Sequence, residues 1–192
     1  MPRLNRDALN QNKALSATAA KQIDHFLADF SSEIRRVGDD ITARTRTAEQ
    51  RRLVLDTVSH ANKGIESIYL LDDNNRVVDV GLPKQNRALR NNQIGIDFSG
   101  RTFLKATRER EHEVWSDTYL SARGNIVVAF AIPLRFPTNA KRHTLTNGVL
   151  VGELNLYEVS RFAGLLSIPH NTLTAIVDQR GNVVGHPDAE RA

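Results

Sequence analysis

No cysteine occurs anywhere in the chain. That suits an oxidising compartment, where stray thiols are a liability, although cysteine-free chains are common elsewhere, and it removes the thiolate ligands of most structural zinc sites. His25, His60, His112, His143, His170 and His186 never fall at a metal-ligand spacing such as HExxH, so they read as surface and turn residues and no metal is expected. Long apolar runs are missing too: nothing approaches the roughly 18 apolar residues of a membrane span, and nothing has the layout of a signal peptide. If the chain comes from a membrane protein, its spans lie elsewhere. Charge of one sign is never concentrated. The 26 basic and 22 acidic residues are interspersed, and the net charge of +4 gathers in no arm of the kind that binds nucleic acid, so no such partner is expected. A glycine-rich phosphate loop is absent, and Ser99, Ser116 and Ser121 lack the context of a catalytic serine. The paired acids Asp39–Asp40 and Asp72–Asp73 sit at a helix end and a hairpin turn, where Asp is expected for capping and turn formation. No catalytic residue and no cofactor are expected.

What is present is the make-up of an ordinary globular chain: 192 residues, 40% hydrophobic and 25% charged, enough for one substantial core. Ile23, Phe26, Leu27, Phe30, Ile34, Val37 and Ile41 step by three and four, as one face of an amphipathic helix does, and Ala17, Ala19 and Ala20 extend that face backwards. A helix from Ala14 to Ile41 would span roughly 40 Å, more than a core of this size needs, so part of it is expected to project. Thr47 and Gln50 form a capping-box pair for a second helix, with Leu53, Val54 and Val58 turned inward and Gly64 at its end. Then the pattern changes to strands. Ile65–Leu71 and Arg76–Val80 pair across Asp72–Asn75, and a polar stretch rich in Asn and Arg follows to Gln93. A short helix over Arg101–Arg108 precedes strands over Val114–Leu120, Asn125–Pro133 and Gly148–Leu156, with a turn at Arg123 and Gly124. Helices first, then five antiparallel strands with a helical insertion, make an α+β plan.

The chain also repeats itself. Ile65–Val78 reads IESIYLLDDNNRVV and Thr172–Val184 reads TLTAIVDQRGNVV; at one constant offset Leu70, Leu71, Asp72, Val77 and Val78 meet Ile176, Val177, Asp178, Val183 and Val184, while Ile68 meets Thr174. In each copy a β-branched run, an Asp with polar turn formers and a second β-branched run spell a hairpin. A hairpin recurring at that separation points to two copies of a domain of roughly 100 residues, the second cut off at Ala192.

GIDFSGRTFLKATREREHEVWSDTYLSARGNIVVAFAIPL, Gly95–Leu134, resembles the central segment of Cache domains, a PAS-like family of extracytoplasmic sensors. The family's G-x-D-x-S-x-R-x-aromatic stretch is here Gly95, Asp97, Ser99, Arg101 and Phe103; its next strand is Ser116–Ser121; Ala131–Pro133 matches the strand ending that closes its hairpin. The opening helix, IYLLDDNNRVV and GVLVGELNL match as well, so the likeness covers nearly the whole chain. It implies an α+β fold, a long N-terminal helix plus a PAS-like antiparallel five-stranded sheet, followed by the start of a second module. Residues 1–63 would then be N-terminal helices, 64–160 a ligand-binding module, and 161–192 a linker helix with the first hairpin of the second module. The resemblance accounts for the repeat: double Cache sensors carry two such modules on one helix that rises from the membrane, and TAIVDQRGNVVGHPD, with His186 and Pro187, looks like the opening of the membrane-proximal one.

Also implied is a non-enzymatic sensor on the periplasmic side of an inner-membrane protein, flanked by spans outside this sequence and feeding a diguanylate cyclase, a histidine kinase or a chemotaxis transducer. Its ligand would be small: a carboxylate, an amino acid or an amine. In amino-acid-binding members the pocket helix carries Arg, Trp and Tyr, the next strand a Tyr, and the last strand an Asp that holds the ligand's ammonium. Arg101 and Tyr119 are kept here, Phe103 and Leu104 stand where the aromatic pair falls, and Glu153 stands in place of the Asp. By their chemistry alone, Arg101 offers a planar fork of donors to a carboxylate, and Trp115, Tyr119 and Phe130 offer apolar walls with a phenol handle. The alternatives are that Arg101 caps its helix or pairs with Asp97, and that the aromatics are core. The candidate ligand-binding set is Arg101, Phe103, Trp115, Tyr119, Phe130 and Glu153. The competing expectation is a structural module without ligand, a homodimer paired through the helix face from Ile23 to Ile41.

Overall fold

The three-and-four spacing of apolar residues folds into a helix, α1, that runs Pro2–Thr42 and so begins well before Ala14. Its early turns are polar and carry no stripe to read, but a helix once nucleated adds one hydrogen bond per residue, and Pro2 at the first helical position has a ring already set for helical φ. The computed structural model describes residues 2–43, 47–136, 147–166 and 175–186. Contacts group the chain into two units, Ser31–Asn155 on the one hand and Met1–Phe30 with Leu156–Ala192 on the other.

In the unit Ser31–Asn155, α2 (Ala48–Ala61) starts at the expected capping box: the Gln50 amide donates to Thr47 Oγ1 at 3.2 Å and the Thr47 amide to Gln50 Oε1 at 2.8 Å. Its inward face differs from the expectation. Leu55 is fully buried with Val58, whereas Leu53 is 66% exposed. The reason is a polar contribution that periodicity of apolar residues cannot register: Asp56 and Ser59 also turn inward.

The sheet is antiparallel throughout, in the order β2-β1-β6-β5-β3, from β1 (Ile65–Leu71), β2 (Val77–Gly81), β3 (Val114–Trp115), β4 (Tyr119–Leu120), β5 (Ile126–Arg135) and β6 (Asn147–Asn155), with β4 also on β5. The one strand expected over Val114–Leu120 is two short ones. Ser116 interrupts it: its backbone amide donates to the Ala129 carbonyl, while its hydroxyl accepts the Ala129 amide at 2.8 Å in place of a backbone carbonyl. Every residue of β1 is buried, as a strand covered on both faces must be. One face meets the helices: Gly38 of α1 lies against Ile132 and Leu134, and Gly81 lies against Leu55 and Ser59 of α2. The other face forms a core of Tyr69, Leu71, Ala129, Ala131, Val149 and Val151, onto which α4 (Thr102–Arg110) sets Phe103 and Leu104.

The Asn- and Arg-rich stretch before α4, read from sequence as irregular, forms a 3₁₀ turn over Lys84–Leu89 and then α3 (Arg90–Gln93). Arg90 anchors it by reaching Asp56 of α2 and, at 3.2 Å, Asp79 of β2.

The second unit contains α1 to Phe30, α5 (Tyr157–Leu166) and a hairpin of β7 (Ile176–Val177) and β8 (Val183–Gly185) against which α5 packs. That hairpin copies the β1–β2 turn bond for bond. Asp72 Oδ1 accepts the amides of Asn74 and Arg76, and Asp178 Oδ1 accepts those of Arg180 and Asn182, each at 2.8–2.9 Å. The left-handed position is Asn75 in one (φ 60°) and Gly181 in the other (φ 82°). Thr174 and Pro187, and most of the loop RFPTNAKRHTLTNG, lie outside the described residues.

A methyl group at Gly81 would stand 2.4 Å from the Leu55 carbonyl oxygen, while one at Gly100 meets nothing within 4 Å. Gly81→Ala is expected to destabilise the domain by about 1–3 kcal/mol in urea unfolding, and Gly100→Ala by less than about 0.5 kcal/mol. Equal effects at both positions would contradict this close approach of α2 to β2.

Candidate ligand site

The side of the sheet covered by α4 collects an unusual group of polar residues. A bulge in β1 between Ile65 and Ser67 sets Ser67 opposite Glu153 of β6. Glu153 is 2% exposed. Its carboxyl group receives the Ser67 hydroxyl on Oε2 and, on Oε1, the Tyr119 hydroxyl at 2.8 Å, and among the described residues no cation pairs with it. Burial, the largest cause, holds the Glu153 carboxyl above the usual carboxylate range; its two hydroxyl donors pull the other way, neighbouring Glu66 adds to the rise, and the charge of Arg101 opposes it.

Arg101 occupies the N-cap of α4 without capping it. Its guanidinium lies 4.4 Å from the centre of the Tyr119 ring and 5.9 Å from that of Phe98, and it has no carboxylate partner among the described residues. The alternative pairing with Asp97 is not made: Asp97 turns to the Ser99 amide at 2.8 Å and to Arg76 at 3.6 Å. Phe103 stacks on the far side of the group, 6.1 Å from Tyr119 at an interplanar angle of 18°. Burial beside Glu153 raises Tyr119 and Tyr69 above the usual phenol value, so both are neutral donors.

The structure therefore brings Arg101, Phe103, Tyr119 and Glu153 together and does not bring Trp115 or Phe130 to them. Phe130 alternates with Ala129 and Ala131, which face α4, and so points to the other side of the sheet, where Arg35 of α1 lies 5.2 Å from its ring. Trp115 is paired with Phe130 in register, its ring 4.8 Å away, and follows it there. Sequence reasoning missed Ser67, Tyr69, Phe98 and Gln93. Tyr69 donates to Gln93 Oε1 across a long 3.4 Å and packs on Phe98 at 4.9 Å. The available signal was the alternation of β1, which places Ser67, Tyr69 and Leu71 on one face.

Beside Glu153 lies a cavity of about 10 Å³, lined also by Tyr69, Leu82, Leu89, Gln93 and Arg123. It is room for one water at most. A larger cleft of about 850 Å³ opens between α1, the end of α4 and β5–β6. Two ion pairs cross its lining: Arg35 grips Glu113 through two bonds of 2.7 and 2.5 Å, and Arg135 meets Glu111 at 2.6 Å, while Arg108 turns to Asn75 Oδ1 and the Asp72 carbonyl. The small cavity is where a fully buried carboxyl group lacks a cation among the described residues.

An antiparallel sheet of this order, with a helix closing a small cavity over one face and a long N-terminal helix on the other, is a PAS-like α+β fold. The Cache domain family model dCache_1 matches residues 3–192, and the chain belongs to the Cache domain family, whose members are extracellular sensor modules of membrane receptors. Among solved structures, an extracellular ligand binding receptor from Desulfohalobium retbaense DSM5692 is similar at 15% identity and a TM-score of 0.75 over 92% of the chain, which spans 31% of that protein. The sensory domain of the Campylobacter jejuni chemoreceptor Tlp3 (CcmL) is similar at 15% identity and a TM-score of 0.72, over 97% of the chain and 74% of that domain. The ligand binding domain of the Pseudomonas aeruginosa PAO1 amino acid chemoreceptor PctC, in complex with GABA, is similar at 17% identity and a TM-score of 0.68, over 95% of the chain and 76% of that domain. At these identities the likeness is one of fold. No curated protein matches the chain.

Because the folded Glu153 carboxyl holds its proton to higher pH than an unfolded glutamate does, the native state binds a proton the unfolded state lacks between the two values. Stability present below the unfolded value, about 4.3, is then lost as pH rises through the folded one. Glu153→Gln, which mimics the protonated group, is expected to melt roughly 2–4 °C above the wild type near about pH 8 and to match it near about pH 4. A variant less stable than wild type at both pH values would show that Glu153 is folded as the carboxylate.

Proposed function

We propose that the chain is the small-molecule-binding part of a bacterial transmembrane receptor, itself without enzymatic activity, and that its ligand carries a cationic amine and an anionic group, as amino acids and their ω-amino relatives do. One observation carries this reading: a buried carboxyl group without a cation and a guanidinium without a carboxylate share the Tyr119 side chain. Burying either charge alone costs several kcal/mol, and a ligand with both charges offsets both at once. Once the cavity of about 10 Å³ beside Glu153 has widened to admit the ligand, Arg101 would take the carboxylate as a bidentate pair, Glu153 the ammonium, and Phe103, Tyr119 and Phe98 would wall the apolar portion. GABA in the similar Pseudomonas domain has this chemistry.

The remainder of the reading follows from family membership. The domain would stand outside the cytoplasmic membrane, between spans, as the sensor modules of this family do. The β7–β8 hairpin would open a second, membrane-proximal module, and α1 would carry the change towards a diguanylate cyclase, histidine kinase or chemotaxis output. Ligand would favour one arrangement of the pocket, and its difference in affinity would bias α1. Dimerisation through α1 competes as a reading because Ile23, Phe26 and Leu27 are only partly buried.

A thermal-shift panel of GABA, L-arginine, simple carboxylates and amines separates these readings. A ligand at a hundred times its dissociation constant adds about 2.7 kcal/mol to stability. Arg101→Ala is expected to abolish that gain while leaving the unliganded melting temperature within about 2 °C. If the panel shifts nothing, and the chain sediments as a concentration-independent dimer, the structural reading takes its place.

A further inference from the structure

The same bulge that sets Ser67 opposite Glu153 lies beside Glu66, the next residue back, and so brings a second acid to the site. Glu66 is 4% exposed and fully compensated. Its Oε1 accepts Arg123 Nε at 2.7 Å, the Ser121 hydroxyl at 3.0 Å and the Asn125 amide at 2.9 Å, and its Oε2 accepts the Asn155 amide at 3.0 Å. Arg123 spends a further donor on the Glu66 carbonyl oxygen at 2.5 Å. The arginine that lines the small cavity is therefore committed to Glu66.

Of the other groups that face Glu153, only Arg101 bears on it with a positive charge, the last of the causes acting on it and without contact, and that is outweighed by burial. Tyr69 from β1 and Tyr119 from β4 are neutral phenols, Arg101 from α4 lies against the Tyr119 ring instead of reaching the carboxyl group, and β5 contributes Ala129 opposite it. Two acids on one wall with one committed arginine cannot both stay ionised at low cost, and a cavity of about 10 Å³ has no room to hydrate the second.

We propose that ligand binding here is an exchange, in which the ligand's ammonium group takes the place of a proton that Glu153 carries when the site is empty, so that the domain binds more tightly as pH rises. The proposal rests on the ligand class argued above for this site. The balance is simple: the Glu153 O–H bond breaks, the proton leaves to solvent, and the carboxylate that remains accepts hydrogen bonds from the ammonium. One proton is released per ligand bound, and a receptor built this way reports ligand and acidity together. The raised proton affinity of the buried carboxyl group agrees with this arrangement.

Calorimetric titration with GABA and with L-arginine tests it, in two buffers of different ionisation enthalpy and from about pH 5 to about pH 8. The expected result is a binding enthalpy that differs between the buffers by up to one proton's worth, and a dissociation constant that falls by up to tenfold per pH unit in the acidic part of the range. In Glu153→Gln the weakened binding that is left should have neither the buffer difference nor the pH slope. Binding with the same enthalpy in both buffers at every pH overturns the exchange and leaves the ligand class standing. A slope that persists in Glu153→Gln also overturns it, since another group then holds the proton. Failure of both probes to bind at any pH overturns the exchange together with the ligand class.

Discussion

A sheet whose central strands are buried on both faces has to be covered twice, and the rest of this domain follows from how that is done. β1, buried along its whole length, lies between β2 and β6, and β6 is nearly as buried. On one side the cover is helical: α1 approaches closely at Gly38, which lies against the Ile132 side chain, and α2 more closely still at Gly81, where the Leu55 carbonyl leaves no room for a side chain. On the other side α4 covers the sheet through Phe103 and Leu104, and α3 with its 3₁₀ turn closes what α4 leaves open. The candidate site lies on the second side, where Glu153 is buried without a cation among the described residues.

Four buried acids on this framework, in three arrangements, show how differently a charge is accommodated. Asp79 and Asp56 share Arg90 and hold α3 to α2 and β2, a pairing whose loss of one member costs about 3–5 kcal/mol in comparable interiors. Glu66 has Arg123 and three further side-chain donors. Glu153 has two hydroxyl groups and no cation. The first two arrangements are closed, each donor matched within the fold. The third is open in chemistry though closed in space, and a group kept so is better understood through what it waits for than through the stability it adds.

Arg101 is the counterpart. A guanidinium at the start of a helix is slightly unfavourable against the helix dipole, and stacking on Tyr119 and Phe98 offsets part of that without giving its donors a carboxylate. α4 reaches from Arg101 to the turn before Glu113, which Arg35 of α1 holds in a bidentate grip, Glu113 being drawn below the usual carboxylate range by that arginine. α4 is thus tied at one end to the candidate site and at the other to α1.

Short-range interactions were legible in the residues. The capping box of α2, the alternation of the strands and the Asp-led turn made twice, at Asp72 and Asp178, depend on partners within a few residues, so local pattern specifies them. Arg101, Phe103, Tyr119 and Glu153 were found through resemblance and meet in space. Trp115 and Phe130 were grouped with them because an aromatic residue on a strand shows its chemistry but not which face of the finished sheet will be filled by α1. The partners of Glu153, by contrast, come from residues 86 and 34 positions away, set by the register of β6 on β1 and by the fold of β4 onto β5. The sequence by itself determined the elements, their order and the repeated turn; only the tertiary structure decided which acid would be neutralised and which left open, because that depends on which cation arrives beside each carboxylate when distant strands align.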